Sequence, residues 1–231
     1  MENGLNRDQN EVEVTRATRR DEAMATTNDP RSKKPWLKKQ RPWPPRDGVF
    51  RFTINQFYQL DDLGFFEDRH VEMIRGVIYE MTTKPAHTTA CDLTAVVLRA
   101  IFGIGWVVRD GRSLDTGRSS LLEPDFAVVA GTIRDFAQSH PTTAALIVEI
   151  SDTTLRKDRT IKAHLYAQAG LPDYWILNLV DRQLEVHRDP GPDPSRRGRF
   201  RYADVTIVPE AGNMAPLAAP GSPIAVADLL P

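Results

Sequence analysis

Apolar and polar positions change period several times along this 231-residue chain, and each change marks an element. In RFTINQFYQLDDLGF, residues Ile54, Phe57 and Leu60 fall at helical spacing behind Thr53, which can cap a first turn, and Gly64 ends the run. HVEMIRGVIYEMT alternates on either side of Arg75-Gly76, the pattern of two short strands around a tight turn. From Thr88 to about Phe102, Leu93, Val96, Val97, Ala100 and Ile101 form one broad apolar stripe and predict a second helix, stopped by Gly103 and Gly105. WVVRDGRSL reads as a strand entering a polar loop, and the next strand carries Asp125. A loop or short helix is expected around Ile133 to Ser139. LIVEI is a near-continuous apolar run, as in a strand buried on both faces. Asp158 to Ala169 is the clearest helix, with Ile161, Leu165 and Ala169 on its buried face, Gly170 just past its end and Pro172 blocking continuation. DYWILNLV and LEVHR flank Asp181-Arg182-Gln183 as a hairpin, and PGPDPSRRGRFR reads as a mobile loop. YADVTIV is a last strand, and SPIAVADLLP a short closing segment.

This order predicts an α/β domain with a mixed central β-sheet flanked by helices, spanning residues 49–231. Residues 1–48 hold few large apolar side chains, many charges and, from Pro35 onward, several prolines; they are expected to be a disordered tail. Its basic second half interleaves Trp36 and Trp43, a combination that could contact phosphates and stack on bases, although a solubilising linker is the plainer reading. A formal net charge of −1 carries no polycation signal for the whole molecule. The single cysteine, Cys91, excludes an internal disulfide and a cysteine-rich zinc site. With no signal-peptide pattern and no apolar run of spanning length, a cytoplasmic protein is expected. Dinucleotide-binding glycines, a Walker loop, HExxH and GxSxG are all absent.

The candidate chemistry lies between Leu121 and Leu177. Asp125 and Glu149 sit in what should be neighbouring buried strands, where a carboxylate is costly unless it is paired or binds metal. If those strands are adjacent, the two carboxylates can converge with the backbone carbonyl of Ile150 on Mg²⁺ or Mn²⁺, hard cations that take oxygen ligands. Lys162 would then bring positive charge to the attacking water or the transition state. Each residue also has a plainer role: Asp125 could begin a strand at its solvated end, and Lys162 could pair with Asp158 on the helix surface. His87, at a helix start, could touch phosphate or metal, a local hydrogen bond being the commoner role. Lys157 and Lys162 are five residues apart, about 140° around a regular helix, which would leave Lys157 in solvent and Lys162 against the sheet. Tyr166, at i+4 from Lys162, could hold it near Glu149.

Pro124-Asp125 and Glu149-Ile150-Ser151 resemble the PD…(D/E)XK signature of the restriction-endonuclease-like superfamily, with Ser151 in the usual lysine position. The chain resembles more closely the Uma-two family of that superfamily. The features that carry this are Glu72 through Gly76, His87, Pro124-Asp125, Val148-Glu149-Ile150-Ser151, Asp158-Arg159, Lys162, Tyr166 and Gly170 through Trp175, in that order. The resemblance spans about Phe52 to Arg188 and implies that Lys162 serves in place of a lysine at position 151, with Glu72 approaching the site. It implies a Mg²⁺-dependent endonuclease hydrolysing DNA, with Asp125, Glu149, Lys162 and Glu72 catalytic and His87, Lys157 and Arg159 as nucleic-acid contacts. A homodimer would suit double-strand cleavage. Two other readings stand beside it: a nucleic-acid-binding or regulatory protein without turnover, and a structural oligomer whose tail recruits a partner.

Overall fold

The computed structural model describes residues 48–117 and 119–231. The expectation for the leader, including Trp36 and Trp43, concerns residues outside this set.

The first helix, α1 (Ile54–Asp62), starts as its sequence predicts. Thr53 accepts the Gln56 N–H at 3.2 Å while Gln56 Oε1 accepts the Thr53 N–H at 3.0 Å, a reciprocal cap. Strands β1 (Val71–Ile74) and β2 (Val77–Glu80) form the expected hairpin, with Arg75 and Gly76 both at positive φ. A Cβ at Gly76 would lie 2.5 Å from the Phe52 carbonyl oxygen, so this turn needs glycine for space as well as conformation. Glu80 at the hairpin edge is exposed, within 3.6 Å of Arg69.

Helix α2 (Pro85–Ile101) begins three residues before the predicted start, with proline in its first turn. Its buried positions are Ala90, Thr94, Ala95 and Leu98, whereas Val96 is exposed. Small side chains let the helix lie close to the sheet, so the buried stripe is rotated from the one that large apolar residues marked. Strands β3 (Trp106–Asp110), β4 (Leu114–Gly117), β5 (Ser120–Leu122), β6 (Phe126–Ala130) and β7 (Leu146–Ser151) follow. β4 and β5 were not expected as strands; they join the first hairpin in a four-stranded sheet ordered β2-β1-β5-β4.

After β7 the chain makes one helical run, residues 155–168, built from α3 (Leu155–Lys157), a π-helical turn (Asp158–Lys162) and α4 (Ala163–Gln168). Strands β8 (Asp173–Asn178), β9 (Gln183–Pro192) and β10 (Phe200–Pro209) complete a mixed six-stranded sheet ordered β10-β9-β8-β7-β6-β3. Only β7 and β8 run parallel within it, as a strand–helix–strand crossover requires, and the helical run is that crossover. A small pair, β11 (Asn213–Met214) with β12 (Ile224–Ala225), closes the chain.

The six-stranded sheet is covered on both faces. Val148, Ile150, Trp175 and Leu177 pack with Ala90, Ala95 and Leu98 of α2. Ile147, Tyr174 and Ile176 pack on the other side with Ala163, Leu165, Tyr166 and Ala167, joined by Ile74, Leu114 and Leu122 of the small sheet. The α/β expectation therefore holds. One detail does not: much of the predicted mobile loop is ordered hairpin. Pro190 and Pro192 lie in β9 opposite Tyr202 and Phe200. The β8 pairing stops at Arg188, so these prolines have no partner on that side to miss their absent N–H. Among the described residues, no helix is long and apolar enough to cross a membrane.

Candidate active site

The β6–β7 register pairs Phe126 with Val148, and two residues further would set Pro124 opposite Ile150. Proline has no N–H to continue that ladder, and β6 starts only after Asp125. The Asp125 side chain takes over instead: Oδ2 accepts the Ile150 N–H at 2.6 Å. In an extended strand the N–H and C=O of one residue face the same neighbour. Ile150 therefore turns its carbonyl toward the Pro124-Asp125 side, where Pro124 cannot donate to it. The predicted trio of Asp125, Glu149 and Ile150 is thus brought together by the geometry that the proline imposes.

Glu149 lies on the face covered by the helical run and is 3 % exposed. Its Oε1 accepts from Lys162 Nζ at 2.9 Å and from the Tyr166 hydroxyl at 2.6 Å. Glu72, fully buried on β1, is 3.5 Å from Lys162 Nζ through Oε2 and 2.5 Å from Lys157 Nζ through Oε1. Lys157 also stands over the Tyr79 ring, the cross-strand neighbour of Glu72. Two expectations fail here for one reason. The Ala163 N–H bonds back to Asp158, five residues earlier, and this π turn adds a residue to the helical repeat. Positions five apart then nearly align, so Lys157 and Lys162 share a face and both reach Glu72. The same extra residue turns Ile161 outward, to 39 % exposure, and buries Lys162 in its stead.

Ser151, in the usual lysine position, donates to Asp158 Oδ2 at 2.5 Å, and Thr154 donates to the same oxygen at 2.6 Å. Asp158 is buried and is therefore no surface partner for Lys162. His87 Nε2 is 3.3 Å from Asp125 Oδ1, and its Nδ1 is 3.5 Å from Cys91 Sγ. The hydrogen bond to Asp125, then the contact with Cys91, raise His87 to about 10 against the lowering effect of burial. Donor atoms of His87, Cys91 and Asp125 all lie within 4.8 Å of one another, a spacing compatible with shared ligation of one metal ion.

Sequence reasoning missed Glu123 and Glu185. Glu123 precedes the PD pair, is raised by burial, and feels both Glu72 and Lys162. Glu185 stands in register with Ile176, which stands in register with Glu149, so the two glutamates flank one strand on the same face. Arg159, a predicted nucleic-acid contact, makes a two-pronged bond to Glu185 at 2.8 and 2.5 Å. A charged residue at a buried strand position, the signal that marked Glu149, was present in LEVHR as well.

The centre carries surplus negative charge. Among the described residues, the five acids Glu72, Glu123, Asp125, Glu149 and Asp158 are met by Lys157, Lys162, His87 and, 3.9 Å from Glu123, His70. Burial accordingly pushes Glu149 up to about 8, with Asp158, Asp125 and Glu72 adding to the effect and Lys162 opposing it. Burial alone would lower Lys162, but Glu149 and Glu72 outweigh it and hold the lysine above its ordinary value. A carboxyl raised on folding stabilises fully below its unfolded value of 4.5, and that contribution is lost as pH rises toward about 8. In chelator-treated protein, wild type should therefore lose stability relative to Glu149→Gln across this window. Denaturant titrations of both proteins at several pH values measure the difference, and a constant difference would contradict the raised carboxyl.

The family model of the Uma-two proteins (Uma2), described as "Putative restriction endonuclease", matches residues 54–223. The chain belongs to this family. Its fold is similar to the crystal structure of "a putative nuclease belonging to DUF820" from Anabaena variabilis, with a TM-score of 0.56 at 14% identity, over 77% of this chain and 97% of that one. No curated protein matches the chain. The family match covers every predicted site residue, from Glu72 to Lys162.

Proposed function

We propose that this protein is a Mg²⁺- or Mn²⁺-dependent endonuclease that hydrolyses phosphodiester bonds of DNA. The observation that carries the reading is the convergence of Asp125 with the Ile150 backbone at one end of β7, beside a glutamate held by a buried lysine. The donor set fits a hard divalent cation: two carboxylates and a carbonyl, in a centre with surplus negative charge. Both hydrogen bonds to Glu149 fall on Oε1, which leaves Oε2 as a ligand oxygen. When bound, the ion would supply Lewis-acid polarisation of the phosphoryl group and make water more acidic. Asp125, Glu149 and Ile150 would hold it. Lys162, fixed between Glu149 and Glu72, would orient the attacking water and stabilise charge developing on the phosphoryl oxygens. Tyr166 fixes the Glu149 carboxylate, and His87 fixes Asp125.

One observation favours the rival reading of a nucleic-acid-binding protein without turnover: Glu72, Glu149 and Lys162 are almost completely buried and satisfy one another. Asp125, His87, Lys157 and Glu123 give this centre its solvent-facing side. A nicking assay on supercoiled plasmid separates the two. Relaxation of the plasmid with Mg²⁺ or Mn²⁺, lost in chelator and in Asp125→Asn, is the expected result; intact plasmid under all conditions would overturn the nuclease reading.

A further inference from the structure

Two strands from Glu149, the same sheet face carries a second polar centre. Glu149 and Glu185 sit on β7 and β9 at matching register positions, about 10 Å apart by strand spacing. One π turn serves both, sending Lys162 to Glu149 and Arg159 to Glu185. Beyond Arg159, between the helical run and the β9–β10 hairpin, lies a concavity of about 260 Å³. Arg159, Arg196, Arg199, Arg201, His164 and His187 line it.

Arg159 is committed to Glu185, but Arg196, Arg199 and Arg201 are exposed and make no ion pair among the described residues. The one carboxylate on the lining, Asp193, is engaged by the backbone N–H and hydroxyl of Ser195 and also feels Arg201 and Arg196, so it offsets one of the three guanidinium charges at most. His187 is 7 % exposed, and its Nε2 has no hydrogen-bond partner; the nearest acid, Glu185 Oε2, is 4.0 Å away. Burial lowers the affinity of this imidazole for a proton, and in the tautomer protonated at Nε2 it offers an N–H to the concavity. Three guanidinium forks and a buried imidazole without a partner are donors in search of oxygen anions, and arginine matches phosphate geometry with two parallel bonds. Arg199 and Arg201 flank Phe200 on the hairpin, which suits successive charges on an extended chain better than a single small ion.

We infer that this concavity grips the phosphodiester backbone of a nucleic-acid strand, with Arg196, Arg199 and Arg201 on its phosphates. The strand would lie along the helical run whose next turn presents Lys162 to Glu149. This assignment rests on the reading of the substrate as nucleic acid, but not on the reading that the protein cuts it.

The test is fluorescence-anisotropy titration of a labelled DNA oligonucleotide, in chelator and over a series of salt concentrations. It compares wild type with Arg196→Ala/Arg199→Ala/Arg201→Ala. Each lost phosphate contact should reduce the slope of log affinity against log salt by about one, so the triple variant should lose about three. Its affinity in low salt should fall at least roughly tenfold, while Mn²⁺ binding, read by calorimetry, stays at the wild-type value. A triple variant with the wild-type slope overturns the inference and leaves the nuclease reading intact. Arginine-dependent DNA binding without plasmid nicking supports the inference and overturns the nuclease reading. A wild type that binds inorganic phosphate but no DNA overturns the inference.

Discussion

Lys162→Ala should destabilise the protein by about 3–5 kcal/mol, because it leaves Glu149 and Glu72 buried without the charge between them. Lys162 is 3 % exposed, so water cannot replace it at low cost. Denaturant unfolding at pH 9, where Glu149 is ionised, should show the largest loss. Pairing the change with Glu149→Gln, as Lys162→Met/Glu149→Gln, removes the unpaired charge on β7 and leaves Lys157 on Glu72; this double variant should recover most of the lost stability. A Lys162→Ala protein as stable as wild type would mean that the lysine is not the counter-charge of this centre. The same substitution should reduce cleavage by roughly 10²–10³, measured in single turnover at a temperature where the variant is folded. Lys157→Ala is not expected to act mainly through a lost phosphate contact, since its ammonium sits on Glu72.

Asp125→Asn and Glu149→Gln should each abolish measurable Mn²⁺ binding in calorimetric titration and reduce nicking by at least roughly 10²-fold. Each removes one of the two anionic ligand side chains proposed for the ion. The amide introduced at position 125 still offers an oxygen to the Ile150 N–H, and the amide introduced at position 149 still offers one to the Tyr166 hydroxyl, so both variants should remain folded. Neutralising either carboxylate also relieves repulsion in the metal-free centre. Wild-type Mn²⁺ affinity in both variants would remove the metal from Asp125 and Glu149. Wild-type affinity in Glu149→Gln, lost only in Asp125→Asn, would instead direct attention to the site shared with His87 and Cys91.

Much of this centre was legible in the sequence because its residues violate local rules. A glutamate inside LIVEI and an aspartate between a proline and the start of FAVV are conspicuous against apolar neighbours, and the structure brings both to one end of β7. The same rule, applied to LEVHR, would have flagged Glu185 and His187, but a short strand with alternating charge reads equally well as half-exposed. Glu72 showed no such signal. Its strand is in a separate sheet, and only the packing of that sheet on the cluster around Ile147 and Tyr166 places its carboxylate on Lys157 and Lys162.

The family resemblance pointed to Asp125, Glu149 and Lys162 as one centre; the sequence by itself determined the hairpin at Arg75-Gly76, the capped start of α1 and the helix between two buried strands. These follow from the side chains and backbone preferences of a few neighbouring residues. Tertiary structure decided the helical phase. A regular 3.6-residue repeat would bury Ile161 and expose Lys157, and nothing in DRTIK announces a π turn. The wider turn persists because two buried acids on different strands, Glu149 and Glu185, take Lys162 and Arg159 from it, while Glu72 draws in Lys157. Leaving any of these carboxylates unpaired would cost several kcal/mol, more than the strain of one irregular turn. The partners that set this balance lie between 13 and 90 residues away in the chain and meet only when both sheets have packed.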